Sequence, residues 1–277
     1  MQARQLPARH GILWLIAGLQ LFRRSPPQLT ALTFAYLFVV LFLNLLPLIG
    51  PFLLPLVLPA ITAIVANGVR ALEQGRPVTK DALLQGLAAN RIGLLRLGGL
   101  HLAGSVAILA VSVLIEGGPQ SLGSLEDADP AEMLAMLSRL LIVAAPVLMA
   151  FWFAPLLAAW DGVPALKSVF FSFVASLRNW RAFTVYCFAI AMVGIVIPGL
   201  ILLVAGTLSP VLLNIFSVAL RMLLVFVLAP VLMASVYLSY RDIFHGATES
   251  AQPAREESPE TRPSERSSED TPPSTDA

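Results

Sequence analysis

Apolar residues run almost unbroken through six stretches between residues 29 and 240, and polar residues collect in the short segments between them. The stretches cover roughly 29–48, 52–72, 93–115, 138–160, 182–204 and 213–240. Each approaches or exceeds the ~20 residues a helix needs to cross the hydrocarbon of a bilayer. The pattern predicts an all-α integral membrane protein with six transmembrane helices. Residues 47–51 and 206–210, each holding Gly and Pro, are too short for anything but tight turns. The helices are therefore expected to pair as three hairpins, with the one sizeable loop, 116–132, inside the middle pair.

A second periodicity precedes the last hairpin. In 163–180, Leu166, Val169, Phe170, Phe173, Val174 and Leu177 recur every three or four residues, with Lys167, Ser168 and Arg178 elsewhere. That spacing predicts a basic amphipathic helix lying in the headgroup plane. Residues 78–90 and 8–24 are weaker versions, so a short interfacial amphipathic helix is expected before each hairpin.

Charge then orients the chain. Lys and Arg near span ends are retained in the cytoplasm. One side receives thirteen basic residues, including Arg23, Arg24, Arg70, Lys80, Arg91, Lys167, Arg178 and Arg241, and the other only Arg139 and Arg221. The acidic residues Glu116, Glu126, Asp127, Asp129 and Glu132 fall on that second side. Both termini are predicted to be cytoplasmic. The basic stretch at the N-terminus lacks a small-residue cleavage site and is expected to be retained.

Composition agrees. Of 277 residues, 57% are hydrophobic and 13% charged, against about 25% charged in soluble domains. Net charge is +1 overall and −5 for residues 246–277, which leaves +6 for the body. The tail has five prolines and no aromatic residue, so it is expected to be disordered, with 1–245 as the membrane domain. The one cysteine, Cys187, lies in an apolar run and reads as a small hydrophobe in a packed helix.

The chain also resembles itself. A shift of 87 places Pro59 on Pro146, Gly75 on Gly162, Pro77 on Pro164, Lys80 on Lys167 and Arg91 on Arg178. A shift of 84 places 145–150 on 229–234, with Pro146 on Pro230. Both shifts keep membrane orientation, so a threefold internal repeat is predicted, with units near 8–75, 76–162 and 163–245.

Few residues could carry chemistry. Pro51, Pro55 and Pro59 share one helix face at four-residue spacing. Each removes a donor and frees the carbonyl four residues earlier. Pro146, Pro155, Pro198 and Pro230 add single kinks. His101, within a Gly-rich run about two turns below the cytoplasmic surface, is expected to face protein. Asn67, Asp161 or a freed carbonyl are its candidate partners, and the simplest role is a neutral hydrogen bond between helices. Asp161 also suits a cap for the turn into 163–180. Arg139 and Arg221 can snorkel to the outer surface. The sequence carries no phosphate-binding glycine loop, metal-ligand cluster or nucleophile elbow. No catalytic residue, cofactor, metal or nucleic-acid partner is expected. The basic flanks suit anionic lipid headgroups, and a membrane-protein partner is a further expectation.

The segments 3–9 and 21–24, then Phe153-Ala-Pro155, Trp160-Asp-Gly-Val-Pro164, Lys167-Ser168, Arg178-Asn179 and Ala182-Phe183 resemble a family of uncharacterised multi-pass inner-membrane proteins from proteobacteria. The resemblance covers residues 1 to about 245 and is most specific over 153–183. It implies a bacterial inner-membrane location and transfers no activity or catalytic residue. The leading expectation is a non-enzymatic protein with an envelope-organising or accessory role. The alternative is a transporter or lipid-handling protein with a polar path near His101 and the proline-kinked helices.

Overall fold

The computed structural model describes residues 3–115 and 129–246. The acidic tail beyond Gly246 and most of the 116–132 loop lie outside the described residues, as do Glu116, Glu126 and Asp127. The described helices belong to one unit, Met1–Phe244.

In chain order they are α1 (His10–Arg24), α2 (Pro26–Asn44), α3 (Gly50–Glu73), α4 (Lys80–Leu84), α5 (Arg91–Ile115), α6 (Pro130–Phe151), α7 (Ala154–Trp160), α8 (Ala165–Arg178), α9 (Trp180–Ala191), α10 (Ile197–Leu208), α11 (Pro210–Leu223) and α12 (Ala229–Phe244). Two π-helical turns, Met192–Val196 and Leu224–Leu228, join α9 to α10 and α11 to α12. No strand occurs among the described residues.

Six helical runs are long and apolar enough to cross a membrane: Pro26–Asn44, Gly50–Glu73, Arg91–Ile115, Ala131–Trp160, Trp180–Leu208 and Pro210–Phe244. They contain or overlap the six predicted stretches, and most extend beyond them at one or both ends. Each π turn sits just before a proline, Pro198 or Pro230. Proline cannot donate to the carbonyl one turn back, and a wider turn relieves its ring clash. The i→i+5 bonds from Ile197 N–H to Met192 C=O and from Ala229 N–H to Leu224 C=O are the result.

Lipid tails are as apolar as Leu, so small residues that let backbones approach decide which helices meet. A Cβ at Gly11 of α1 would lie 2.3 Å from the Ala182 carbonyl oxygen of α9. One at Gly18 would lie 2.7 Å from that of Val231 in α12. A Cβ at Gly98 of α5 would lie 2.0 Å from the Leu56 oxygen of α3. α1 thus packs between α9 and α12, with Trp14 only 1% exposed. Its opposite face, with Ile12, Leu13, Ile16 and Leu19, is exposed.

α8 shows the inversion expected in lipid. Its buried face is Ala165, Ser168, Ser172, Ala175 and Ser176, while Leu166, Phe170 and Leu177 point outward. The predicted helix over 78–90 contains only α4, because Gln85 leaves helical geometry and Gly86 takes φ +80°. There a Cβ would lie 2.5 Å from the Ala159 oxygen, so the chain must pass α7 as bare backbone.

The tight turn before α3 is made by Leu48, which adopts positive φ (64°). Gly50 opens α3, where a Cβ would lie 2.0 Å from the Leu43 oxygen. Cys187 is exposed on α9 rather than packed, since the neighbouring Tyr186 takes the inward position. The N-terminal segment is tied down by Asn179. Its Oδ1 accepts from Leu6 N–H (2.8 Å) and its Nδ2 donates to the Arg4 carbonyl (2.9 Å).

Candidate functional site

Pro51 lies in the first turn of α3, where no intrahelical donor is lost, so Pro55 and Pro59 are the prolines inside the helix. Pro59 leaves the Pro55 carbonyl without its usual amide. The Gly98–Leu56 contact brings α5 close enough for His101, one turn further on, to reach that oxygen. His101 Nδ1 lies 3.2 Å from it. A carbonyl can only accept, so Nδ1 carries the proton and Nε2 is left as an acceptor in the neutral ring. Of the three partners expected for His101, the freed carbonyl is the one it meets. Its ring packs on Phe151, with centroids 4.6 Å apart.

Helix α6, with Pro146 inside it, stops at Phe151. Pro155 follows in the first turn of α7, so the chain is broken at Trp152 and Phe153. A serine of α8 is inserted into the broken ladder. Phe153 N–H, which would bond Met149 in a continuous helix, donates to Ser172 Oγ (2.9 Å), and that hydroxyl donates to the Met149 carbonyl (2.9 Å). Ser176 donates to the same carbonyl (3.2 Å). The break swings Trp152 between helices, and its ring sits edge-on to Phe183 and Tyr186 of α9.

Between these two distortions lies a cleft of about 420 Å³, bordered by His101, Trp152, Phe151, Pro59 and Pro155. Tyr36, Thr62 and Ser105 add hydroxyl-bearing side chains to its lining. Trp152 Nε1 is buried with no hydrogen-bond partner among the described residues. His101 stands ten residues into α5, about 15 Å along its axis from Arg91 and about 7.5 Å beyond Arg96. A second void of about 230 Å³ runs on between α5 and α6 and shares Ser105 and Ile108 with the first. Leu109, Leu140 and Val143 line it, with Ser112 and Arg139 as its other polar residues.

Asn67 and Asp161 lie elsewhere, near the ends of α3 and α7, where they join a satisfied network. Asn67 Oδ1 accepts from Trp160 Nε1–H (2.7 Å), and its Nδ2 donates to the carbonyls of Leu83 (2.9 Å) and Gln85 (2.8 Å). Asp161 accepts from the Tyr240 hydroxyl and does not cap α8, whose N-cap is Pro164 without a side-chain bond. Glu73 accepts from the Tyr237 hydroxyl and pairs with Arg241. Asp242 accepts from Arg241 (2.8 Å) and from Trp14 Nε1–H (3.1 Å). The Arg70 guanidinium lies 5.1 Å over the Trp160 ring.

The structure thus ties Asn67 to Trp160 and Asp161 to Tyr240, whose ring packs on Trp160, and leaves His101 in the cleft. Pro230 stands at the start of α12, away from the cleft lining. Sequence reasoning missed Trp152, Tyr36, Thr62 and the Ser172 insertion. The spacing of Ser168, Ser172 and Ser176 at four-residue intervals was the one available signal. Among the described residues no group of three or more His, Cys, Asp or Glu could hold a metal.

Six apolar helices packed through glycine and serine, with polar groups paired across the bundle, define a polytopic helical membrane protein. The chain is 32% identical over 263 residues to a protein of Burkholderia thailandensis named "probable inner membrane protein". The match covers 88% of this chain and 94% of that protein, and the chain belongs to its family of inner membrane proteins. No protein-family model and no solved structure matches.

Proposed function

We propose that this protein is a non-enzymatic lipid-handling component of the bacterial inner membrane, holding a lipid in the cleft beside His101. The observation that carries this reading is the cleft of about 420 Å³ between the proline-kinked α3 and the break at Trp152, lined by His101 and by the hydroxyl-bearing Tyr36, Thr62 and Ser105. An apolar void with a few placed polar groups is the usual form of a small-molecule site. The accessory, envelope-organising role is the second reading, and the exposed basic residues Arg23, Arg24, Lys80, Arg91, Lys167 and Arg178 are what favours it.

Native mass spectrometry of the full chain, extracted with its surrounding lipid, tests the reading. A lipid retained at one per protein is expected, and it should be lost in Leu148→Trp, which fills the cleft. Retention of no lipid by a folded wild type would overturn it.

The same proposal includes both termini in the cytoplasm, anionic headgroups as partners at that face, and three hairpins built from one repeated unit. Gly75 and Gly162, 87 residues apart, take φ +65° and +63°, each two residues before a proline, which supports the repeat. Reporter fusions after Ser209 and after His245 should report opposite sides of the membrane.

A further inference from the structure

We infer that a groove between α3 and α5 holds one anionic phospholipid, its phosphate on Arg91 and part of one acyl chain along Leu56, Val57 and Ala60. This gives a residue-level site to the anionic headgroups of the proposed function and needs no lipid in the cleft. The backbones of the two helices touch where Gly98 meets Leu56. On the Arg91 side of that contact the groove has a volume of about 240 Å³ and shares no lining residue with the cleft.

The lining is cationic at one residue and aliphatic elsewhere. Arg91 is its one charged side chain, and Leu56, Val57, Ala60, Leu87, Leu94 and Leu95 make up the rest. Arg91 is exposed, and among the described residues its guanidinium has no hydrogen bond or ion pair. Arg241, by contrast, is engaged by Glu73 and Asp242, and Arg70 lies over the Trp160 ring. Arg91 is also the first residue of α5. The helix dipole is positive there and disfavours a cation, so an anion beside Arg91 is attracted by the side chain and the helix end together.

Those properties select the class of ligand. A soluble anion would gain nothing from an aliphatic trough, and an uncharged lipid would leave Arg91 unpaired. A zwitterionic headgroup brings its own cation to the same guanidinium, so a headgroup of net negative charge is favoured. An anionic phospholipid supplies both parts, because a guanidinium binds phosphate oxygens through two parallel N–H bonds and an acyl chain covers the aliphatic wall. The groove is smaller than the ~300–1,000 Å³ of pockets that enclose a whole small molecule. That suits one partly seated chain whose remainder stays in the bilayer. Arg96, also exposed, projects about 140° around α5 from Arg91 and does not line the groove.

The test uses the full chain in nanodiscs of phosphatidylethanolamine and phosphatidylglycerol in equal amounts, with native mass spectrometry reading the retained lipid. Wild type is expected to retain phosphatidylglycerol in preference to phosphatidylethanolamine. Arg91→Gln should cut that preference about fivefold, equivalent to the ~1 kcal/mol contributed by one basic residue at an anionic surface. Arg96→Gln should leave it largely intact. Ala60→Phe, which fills the groove without altering charge, should lower phosphatidylglycerol retention as Arg91→Gln does. Equal retention of the two lipids by wild type would overturn the inference, and so would an Arg91→Gln protein that keeps the full preference. Matching losses in Arg96→Gln and Arg91→Gln would reveal a diffuse basic surface and overturn the site. A preference lost in Leu148→Trp and kept in Arg91→Gln would move the lipid to the cleft, overturning this site and leaving the lipid-handling reading standing. The reverse result would support this site whether or not the cleft is filled.

Discussion

Two polar regions of this protein are built from similar residues and treat them in opposite ways. Around Trp160, Asn67 uses its oxygen and both amide hydrogens, and Glu73, Asp161 and Asp242 all accept from named donors. Around Trp152, one indole N–H is buried and unmatched beside a void. The two tryptophans lie eight residues apart in one apolar run. A closed network holds helices together, whereas the region around Trp152 leaves both a buried donor and an adjacent cleft unfilled.

The comparison can be broken or sharpened at four positions. The largest effect is expected where backbones touch. Gly98→Leu would drive a side chain into the Leu56 carbonyl. Overpacking typically destabilises by ~1–3 kcal/mol, and with backbone on both sides the upper end applies. Loss of monodisperse protein on size-exclusion chromatography is the expected outcome, and a normally folded variant would show that α3 and α5 are not in this contact.

Asn67→Ala comes next. It strands Trp160 Nε1–H and the Leu83 and Gln85 carbonyls, for a loss of about 2–3 kcal/mol. The midpoint of denaturant unfolding in detergent reads this directly. Glu73→Gln keeps shape but removes the charge that Arg241 pairs with. The carboxylate is 21% and the guanidinium 33% exposed, so solvent screening holds the loss to about 1 kcal/mol. A cycle with Tyr237→Phe should show coupling, because both donors end on one carboxylate.

The smallest effect on stability falls in the cleft. Trp152→Phe removes a buried donor that bonds nothing within the protein and also trims a ring that packs on Phe183 and Tyr186, so the two effects oppose and the net change should stay below the Asn67→Ala loss. If Trp152→Phe destabilised the lipid-free protein as much as Asn67→Ala, the contrast between the two regions would be lost.

Much of the architecture was legible beforehand. The six spans follow from runs of apolar residues, and α8 from its three-to-four spacing, because both are properties of neighbouring residues. The freed carbonyl as partner for His101 was also legible, since proline's missing amide is a covalent fact. Asp161 as a cap for α8 was not, because Tyr240, seventy-nine residues away, competes for it. The packing of α1 was not legible for a similar reason. Its amphipathicity shows that one face is covered, and only the close approach of Gly11 and Gly18 to α9 and α12 shows by what.

The sequence by itself determined that this chain has six stretches long and apolar enough to cross a membrane, with few polar groups inside them. Hydrocarbon thickness fixes span length, and an apolar run is a property of neighbouring residues, so neither result needs a tertiary contact. Only the tertiary structure decided which polar groups close on one another and which stay open. Those outcomes turn on ångström-scale approaches between helices, set where Gly98 meets Leu56 and where Ser172 enters the break at Phe153.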